Sequence, residues 1–438
     1  MKLRLAILAA IISSSANAAD SVSQPLGSST TLGSATNVWS LSSSNNNPAA
    51  AFMMVGKGDK TRFGILTSLS GGYELGAVDE IQDKIEELDD KLDSIEDNLS
   101  DALDLQDDFN ELLAELGENA SLKIMAGGNI PLLPFIYKTD NYGAFTFSAD
   151  VSTMGSGQVL SDNASLILNP LTAEFQLNTA TSIYVKNFLD VKASIGYSNE
   201  FYSSDAGTFL AGARANFHQI TLGKSVLALS ALSGDEVDDA IQGEVEDNQN
   251  TTTAASFDLG FIWTATHYQL GVSVDNVNEP TFDYKSVGTN CSAIPSDAAH
   301  EVEQINCFAA ASFASQGLIN KDETHTLSQQ TTVEASLFSE NKSWNVSASY
   351  DVNSVNDALG DLYQWSSVSA QIHPDWWLIS GLRGGYRKNM VGSELSYASV
   401  GATFLKGINF DVSYGLESVG DTDAPRSLYL SLGIETSF

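Results

Sequence analysis

Long hydrophobic runs are the first thing this 438-residue chain lacks. Beyond the extreme N-terminus no stretch of about 18 apolar residues occurs, which excludes membrane-spanning helices. A transmembrane barrel stays open, because barrel strands are only half apolar. Basic residues are scarce: 21 Lys and Arg stand against 55 Asp and Glu, a formal net charge of -34. Nucleic-acid binding needs cations to displace counterions from phosphate, so this balance argues against DNA or RNA as partner. There are only nine prolines, and Cys291 and Cys307 are the only cysteines. With two cysteines in one loop-like stretch, metal binding is not expected; in an oxidising compartment the pair is expected to staple the loop as a disulfide.

Catalytic signatures are missing too. No G-x-S-x-G elbow, H-E-x-x-H pair or phosphate-binding loop is present, and the five histidines (His218, His267, His300, His325 and His373) are scattered singly. The expectation is a protein that is not an enzyme, with no cofactor and no metal.

What is present begins with Lys2 and Arg4, the apolar run from Leu5 to Ile12, and Ala16-Asn17-Ala18. This is the charged, apolar and A-x-A order of a cleavable signal peptide over residues 1–18, with Ala19 as the expected first mature residue. Some 420 further residues would ordinarily mean two or three soluble domains, a rule of thumb that large barrels exceed.

The remainder alternates. From Ser427 onward, Leu428, Leu430, Leu432 and Ile434 share one face and Tyr429, Ser431, Gly433 and Glu435 the other, with Phe438 at the end. Strand side chains alternate with period two, so one face suits hydrocarbon and the other water. Thirteen earlier segments are strand-like. They are Thr61 to Leu75, Leu122 to Pro131, Tyr142 to Thr153, Tyr184 to Tyr202, a stretch from Thr208, Thr253 to Thr264 and His267 to Val277. Thr326 to Phe338, Trp344 to Val355, Tyr363 to His373, Trp377 to Lys388, Leu395 to Phe404 and Ile408 to Ser418 follow. Connections are long after the first, third, fifth and seventh strands and generally short after even ones, the sorting found in bacterial outer-membrane barrels. The predicted fold is therefore all-β: a transmembrane antiparallel barrel of about 14 strands (range about 12–16) over residues 61–438. Trp263, Trp365, Trp376 and Trp377 near strand ends fit interfacial girdles.

Alternation also sorts the interior. If Phe209, Ala213 and Phe217 face lipid, Arg214, Asn216 and His218 face the lumen; Arg383, Arg387, Asp258, Asp275, Glu334, Asp351, Asp411 and Glu435 follow by the same count. Both signs in one lumen predict cross-strand ion pairs that also anchor whatever fills it. The competing expectation gathers Arg214, Arg383 and Arg387 into one guanidinium cluster for an anionic head group.

Two segments stand outside the strands. Residues 77–118 read as an acidic helical insertion in the first external loop. Val78, Ile81, Ile85, Leu88, Leu92, Ile95 and Leu99 follow heptad spacing, and from Val78 to Leu116 the only cations are Lys84 and Lys91. Its stripe needs an apolar partner, either a returning helix from Phe109 to Leu116 or a second protein. A second acidic loop, Asp235 to Asp247, reads as solvated surface. Residues 19–60, rich in Ser, Asn and Gly, are too irregular for a strand.

Within that segment Asn47-Pro48-Ala49, just ahead of the first strand, resembles the hatch of the FadL-like outer-membrane family. The acidic excursion, Asp275-Asn276-Val277, Leu382-Arg383-Gly384-Gly385-Tyr386-Arg387 and the Phe438 terminus resemble barrel proteins bearing the conjugal-transfer name TraF, which are similar to that family. Gly433 and Phe438 match the assembly signal of outer-membrane barrels, and Thr436 stands where an aromatic or bulky apolar residue is usual in it. The absence of C-x-x-C separates the chain from the thioredoxin-like proteins of the same name. The resemblance implies an N-terminal segment folded into the lumen, outer-membrane lipid and the barrel-assembly machinery as partners, and passive passage of small hydrophobic compounds gated by the hatch. The alternative it implies is a structural or docking component of a conjugal-transfer or envelope assembly, with an envelope protein bound at the acidic helices.

Overall fold

The computed structural model describes residues 24–56, 58–76, 99–168, 175–231, 245, 248–419 and 424–436. Fourteen strands form its wall. They are β1 (Thr61–Leu75), β2 (Ser121–Asn129, resuming as Phe135–Lys138), β3 (Ala144–Leu160), β4 (Ser182–Ser204), β5 (Gly207–Ala228), β6 (Gln249–Thr264) and β7 (Tyr268–Asp275). The other half comprises β8 (Gln330–Phe338), β9 (Trp344–Asp351), β10 (Trp365–Ile372), β11 (Ile379–Asn389), β12 (Ser396–Phe404), β13 (Ile408–Gly415) and β14 (Ser427–Glu435). Each pairs antiparallel with its neighbours in sequence, and β14 returns to β1 with Leu432 opposite Leu69, closing the barrel. Closure satisfies every edge, which makes a sheet tolerable in lipid.

The alternation decides the faces. Leu430 and Leu432 stand 45% and 41% exposed on the outside, while Tyr429, Ser431 and Glu435 are buried inside. The same outward belt runs through Phe217, Leu337, Val346, Val368 and Val400. An apolar belt round a closed barrel is stable only against hydrocarbon, so the chain is an outer-membrane-type transmembrane barrel.

Inward positions are small and polar. Serines on adjacent strands meet in pairs, as in Ser336–Ser347, Ser349–Ser367 and Ser399–Ser413. Short side chains leave the lumen wide enough for residues 24–55 to fold inside, most of them buried.

The wall is broken at one place among the described residues. Between the two pieces of β2, residues 130–134 leave the ladder, and the facing stretch of β1, Gly64 to Leu69, shifts register against β14 on its other side. The second piece, Phe135–Lys138, still pairs with both Thr61–Phe63 and β3, so the barrel remains closed below the break.

Long connections gather at the rim away from the paired ends of β1 and β14. Helix α1 (Leu99–Asn119) buries Leu112 and Leu113 and turns Asp107, Glu111 and Glu118 outward. Most of the heptad stripe, 78–98, and nearly all of the second acidic loop lie outside the described residues. A small ladder pairs Thr281–Asp283 with Thr324–Thr326, and helix α2 (Glu301–Ser315) lies between them in sequence. Cys291 and Cys307 are disulfide-bonded there, with Cα atoms 5.5 Å apart. Trp365 departs from the girdle expectation: it shares the inward face with Ser367 and Ser369 and is buried in the lumen, whereas Trp376 and Trp377 are exposed at a turn.

Candidate functional site

The upper half of the lumenal segment is bedded on wall carboxylates. Thr36 donates to Glu334 through both its backbone N–H and its hydroxyl, the latter at 2.9 Å. Thr31 Oγ1 donates to Asp411 Oδ1 at 2.7 Å, and the Leu41 N–H to Glu435. Three acids on β8, β13 and β14 thus each hold a different turn of the segment. Further contacts run the other way, from Arg62 to the Val38 and Met54 carbonyls and from Arg214 to the Asn45 carbonyl. A buried carboxylate denied such donors would be strongly destabilised, so wall and plug satisfy one another.

Asn47-Pro48-Ala49 sits against paired glycines. Asn47 Oδ1 accepts from the Ala49 N–H at 3.0 Å and caps the short turn Pro48–Ala50. Gly212 on β5 and Gly260 on β6 lie directly opposite one another beneath it. A Cβ on Gly260 would come within 2.1 Å of Asn47 Oδ1, and one on Gly212 within 2.4 Å of the Pro48 carbonyl oxygen. The close approach of plug to wall therefore requires glycine at both positions.

The lower half is apolar. Ala49, Ala50, Ala51, Met54 and Val55 pack with Ile136, Ala144, Leu210 and Ile262, joined by Phe52 and Met53. Ile136 belongs to the second piece of β2, so this cluster abuts the broken stretch of wall. Across the break, Thr67 Oγ1 donates to the Leu133 carbonyl at 2.5 Å, while Ile65, Ile130 and Leu132 are exposed outside.

The three arginines do not gather. Arg214 pairs with Asp258 at 2.8 Å and lies 3.7 Å from Asp275. Arg383 makes two 2.6 Å contacts to Asp411. Arg387, four residues along β11, lies over the rings of Trp365, Tyr397 and Tyr429, with its guanidinium carbon 4.5–5.7 Å from their centres. Each has its own surroundings because strand spacing separates Arg383 from Arg387 by roughly 13 Å, and Arg214 belongs to a distant strand. The cross-strand pairing expectation describes Arg214 and Arg383; the single cluster does not form.

Above the plug, two polar chambers open under a cap made by residues 281–326 and 355–363. One, of about 190 Å³, is bounded by Lys192, Arg214, His218, Asp258, His325 and Trp365, with Asn45 and Asn46 of the plug. The other, of about 280 Å³, is bounded by Glu74, Lys123, Asp357, Tyr363, Trp365 and Arg426. The cap is pinned to the wall by lysines: Lys123 reaches Asp357 and Asp361, Lys186 reaches Glu323 at 2.5 Å, and Lys224 reaches the Asn320 carbonyl at 2.7 Å. Burial within this cap pushes His325 down to about 4, against the opposing pull of Asp357. These chambers carry polar walls because inward strand positions hold the charged half of the alternation.

Residues 45–351 match the family model described as "F plasmid transfer operon, TraF, protein". The chain belongs to that family. Its match runs from the Asn-rich turn of the plug to the Asp351 end of β9. No curated protein sequence matches. Among solved structures, the Ralstonia pickettii toluene transporter TbuX is similar at 12% identity, with 95% of this chain and 98% of that one covered and a TM-score of 0.41. A Pseudomonas aeruginosa FadL homologue is similar at 12% identity, covering 94% and 96%, with a TM-score of 0.43. The Pseudomonas putida toluene transporter TodX is similar at 10% identity, covering 96% and 97%, with a TM-score of 0.39. Barrel closure rests on the ladder itself, not on these likenesses.

Sequence reading found the plug motif, the inward charges and the cysteine pair. It missed the glycine seat: Gly212 and Gly260 are ordinary strand glycines until register sets them opposite each other. Phe438 of the assembly signal lies outside the described residues, and Gly433 faces inward with a Cβ position 2.4 Å from the Thr67 carbonyl oxygen.

Proposed function

We propose that this barrel is a hatch-gated outer-membrane channel for small amphipathic compounds, received in the polar chambers and released where β2 is interrupted. The observation that carries the reading is the coincidence of the broken wall with the apolar half of the plug. The irregular stretch keeps single bonds to its neighbours, from the Ile130 N–H to the Ala149 carbonyl and from the Leu132 N–H to the Ile65 carbonyl, and irregular backbone at membrane depth is tolerated where protein or a cavity covers it. Here Met54 and its neighbours pack on Ile136 beside the break, and on this reading movement of the plug opens it. The polar chambers narrow the expected cargo from hydrophobic compounds to ones with a polar head.

The test is uptake by reconstituted liposomes. The full chain is expected to admit a small fluorescent amphipath faster than protein-free liposomes while holding ions back, and removal of residues 24–55 is expected to make the bilayer leak ions. No difference in either assay would remove the channel reading.

A second reading is favoured by the outward acidic stripe Asp107, Glu111 and Glu118 of α1. It is a docking face for a basic envelope protein of a transfer assembly, with the barrel as anchor. Deleting residues 77–118 would then spare the barrel and abolish co-purification of that partner; unchanged complexes would count against it.

A further inference from the structure

Asp190, His218 and Ser256 lie on the inward faces of three consecutive strands, β4, β5 and β6. His218 stands opposite Lys192 on one side and Ala254 on the other, so Asp190 and Ser256 are its diagonal neighbours, each displaced by two residues. An imidazole bridges such diagonals. His218 Nδ1 lies 2.9 Å from Asp190 Oδ2, and Nε2 lies 3.1 Å from Ser256 Oγ. When the carboxylate is ionised and the imidazole neutral, the carboxylate only accepts, so Nδ1 carries the proton and Nε2 accepts from the serine hydroxyl. That is the tautomer a general base needs. Asn216, directly opposite Ser256, donates from Nδ2 to the same Oγ at 2.9 Å and to Asp258 Oδ2 at 2.7 Å.

This arrangement differs from the rest of the lumen. Ser336, Ser349 and Ser399 spend their hydroxyls on other serines. Ser256 instead meets an imidazole oriented by a carboxylate and edged by Phe282, whose ring centre is 6.4 Å away. His218 and Asn216, the two partners of its hydroxyl, both line the chamber of about 190 Å³.

We propose that Ser256, His218 and Asp190 form a serine-esterase centre for small carboxylic esters that enter this chamber. Ser256 Oγ attacks the ester carbonyl while its proton passes to His218 Nε2. Asn216 Nδ2 is the donor placed for the oxyanion. Collapse breaks the bond to the alkoxy group, which leaves as the alcohol with the proton from His218. Water, deprotonated by His218, then cleaves the acyl-serine to the free acid and restores Ser256. Asp190 holds the ring and offsets the imidazolium charge. Ser256 is fully buried at rest, and Ser34, Asn45 and Asn46 of the plug form part of the chamber's lining, so substrate access rests on the plug movement proposed above.

The experiment uses the full chain in detergent, a small alkyl fluorophosphonate and peptide mass spectrometry. The expected result is an adduct on Ser256, formed faster in Glu334→Ala, where the plug is loosened, and absent in Ser256→Ala. His218→Gln is expected to slow labelling and p-nitrophenyl acetate hydrolysis by about 100-fold or more. Asp190→Asn is expected to lower the rate and change its pH profile, which loss of a merely structural hydrogen bond would not do. Heat-modifiable gel mobility checks that each variant keeps its barrel. Absence of a Ser256 adduct in both wild type and Glu334→Ala overturns the proposal. Labelling in detergent needs no passage across a membrane, so this failure is distinct from failure of liposome uptake.

Discussion

Arg383 on β11 and Asp411 on β13 form a two-contact ion pair, 2.6 Å each, across an intervening strand whose facing residue, Gly401, has no side chain to keep them apart. Thr31 of the plug bonds to the same Asp411 oxygen, so barrel wall and plug share one buried charge pair.

Asp411→Asn would leave a buried guanidinium without its counter-charge, which costs about 3–5 kcal/mol. The expected outcome is a large fall in the temperature at which the folded band disappears on heat-modifiability gels. Replacing both partners, Arg383→Met with Asp411→Leu, should recover most of that loss. Gly401→Val should resemble Asp411→Asn, because even a Cβ would lie 2.1 Å from Asp411 Oδ1.

Glu334 accepts two bonds from Thr36 of the plug. Glu334→Ala removes the acceptor and leaves buried donors unpaired, worth about 1–3 kcal/mol. In planar bilayers the expected consequence is an open probability raised by roughly 5-fold to 150-fold, since about 1.4 kcal/mol corresponds to a factor of ten. A conductance record unchanged from wild type would show that Thr36 does not latch the plug.

At the glycine seat, Gly260→Val would drive a side chain into Asn47, whose Oδ1 lies 2.1 Å from the Cβ position. The plug turn should lift, seen as faster protease cleavage between residues 40 and 56, while gel mobility shows the barrel intact. Equal cleavage rates would mean that the seat yields without moving the plug.

His325, in the cap ladder and outside the membrane-spanning strands, is held neutral by burial, with its value lowered to about 4. Asp357, Lys186, Glu323 and Asp190 are the charges that face it. Its folded value lies below the ordinary one, so protons bind the opened cap more readily than the closed one. Cap stability should be constant above about pH 6.5 and fall as pH drops toward 4, by at most about 3 kcal/mol. Hydrogen exchange of residues 281–326 should accelerate over that window in wild type, and His325→Gln should flatten the dependence. A wild-type profile that is flat from pH 7.5 to 4.5 would contradict this.

Much of the barrel was legible because the deciding signal is local. β1 starts and ends at Thr61 and Leu75, and the two faces of β14 fall where the alternation places them. The interruption of β2 was legible only in part. The predicted segment from Leu122 ended at Pro131; Pro131 and Pro134, which cannot donate to a ladder, bracket the interruption, but that pairing resumes at Phe135 depends on the neighbouring strands. Trp365 shows the opposite failure: its inward face followed from Ser367 and Ser369, yet its place at a strand end favoured a girdle.

By itself, then, the sequence determined the barrel class with about 14 strands, the inward and outward faces and the presence of a polar segment ahead of β1, since period-two alternation is a property of each strand alone. Only the tertiary structure decided which inward groups meet. Whether Arg383 finds Asp411 or Arg387, whether Gly212 faces Gly260, and whether His218 stands between Asp190 and Ser256 all depend on register between strands. Register is set by the ladder as a whole, and a shift of one residue in any strand would send its side chains to the other face.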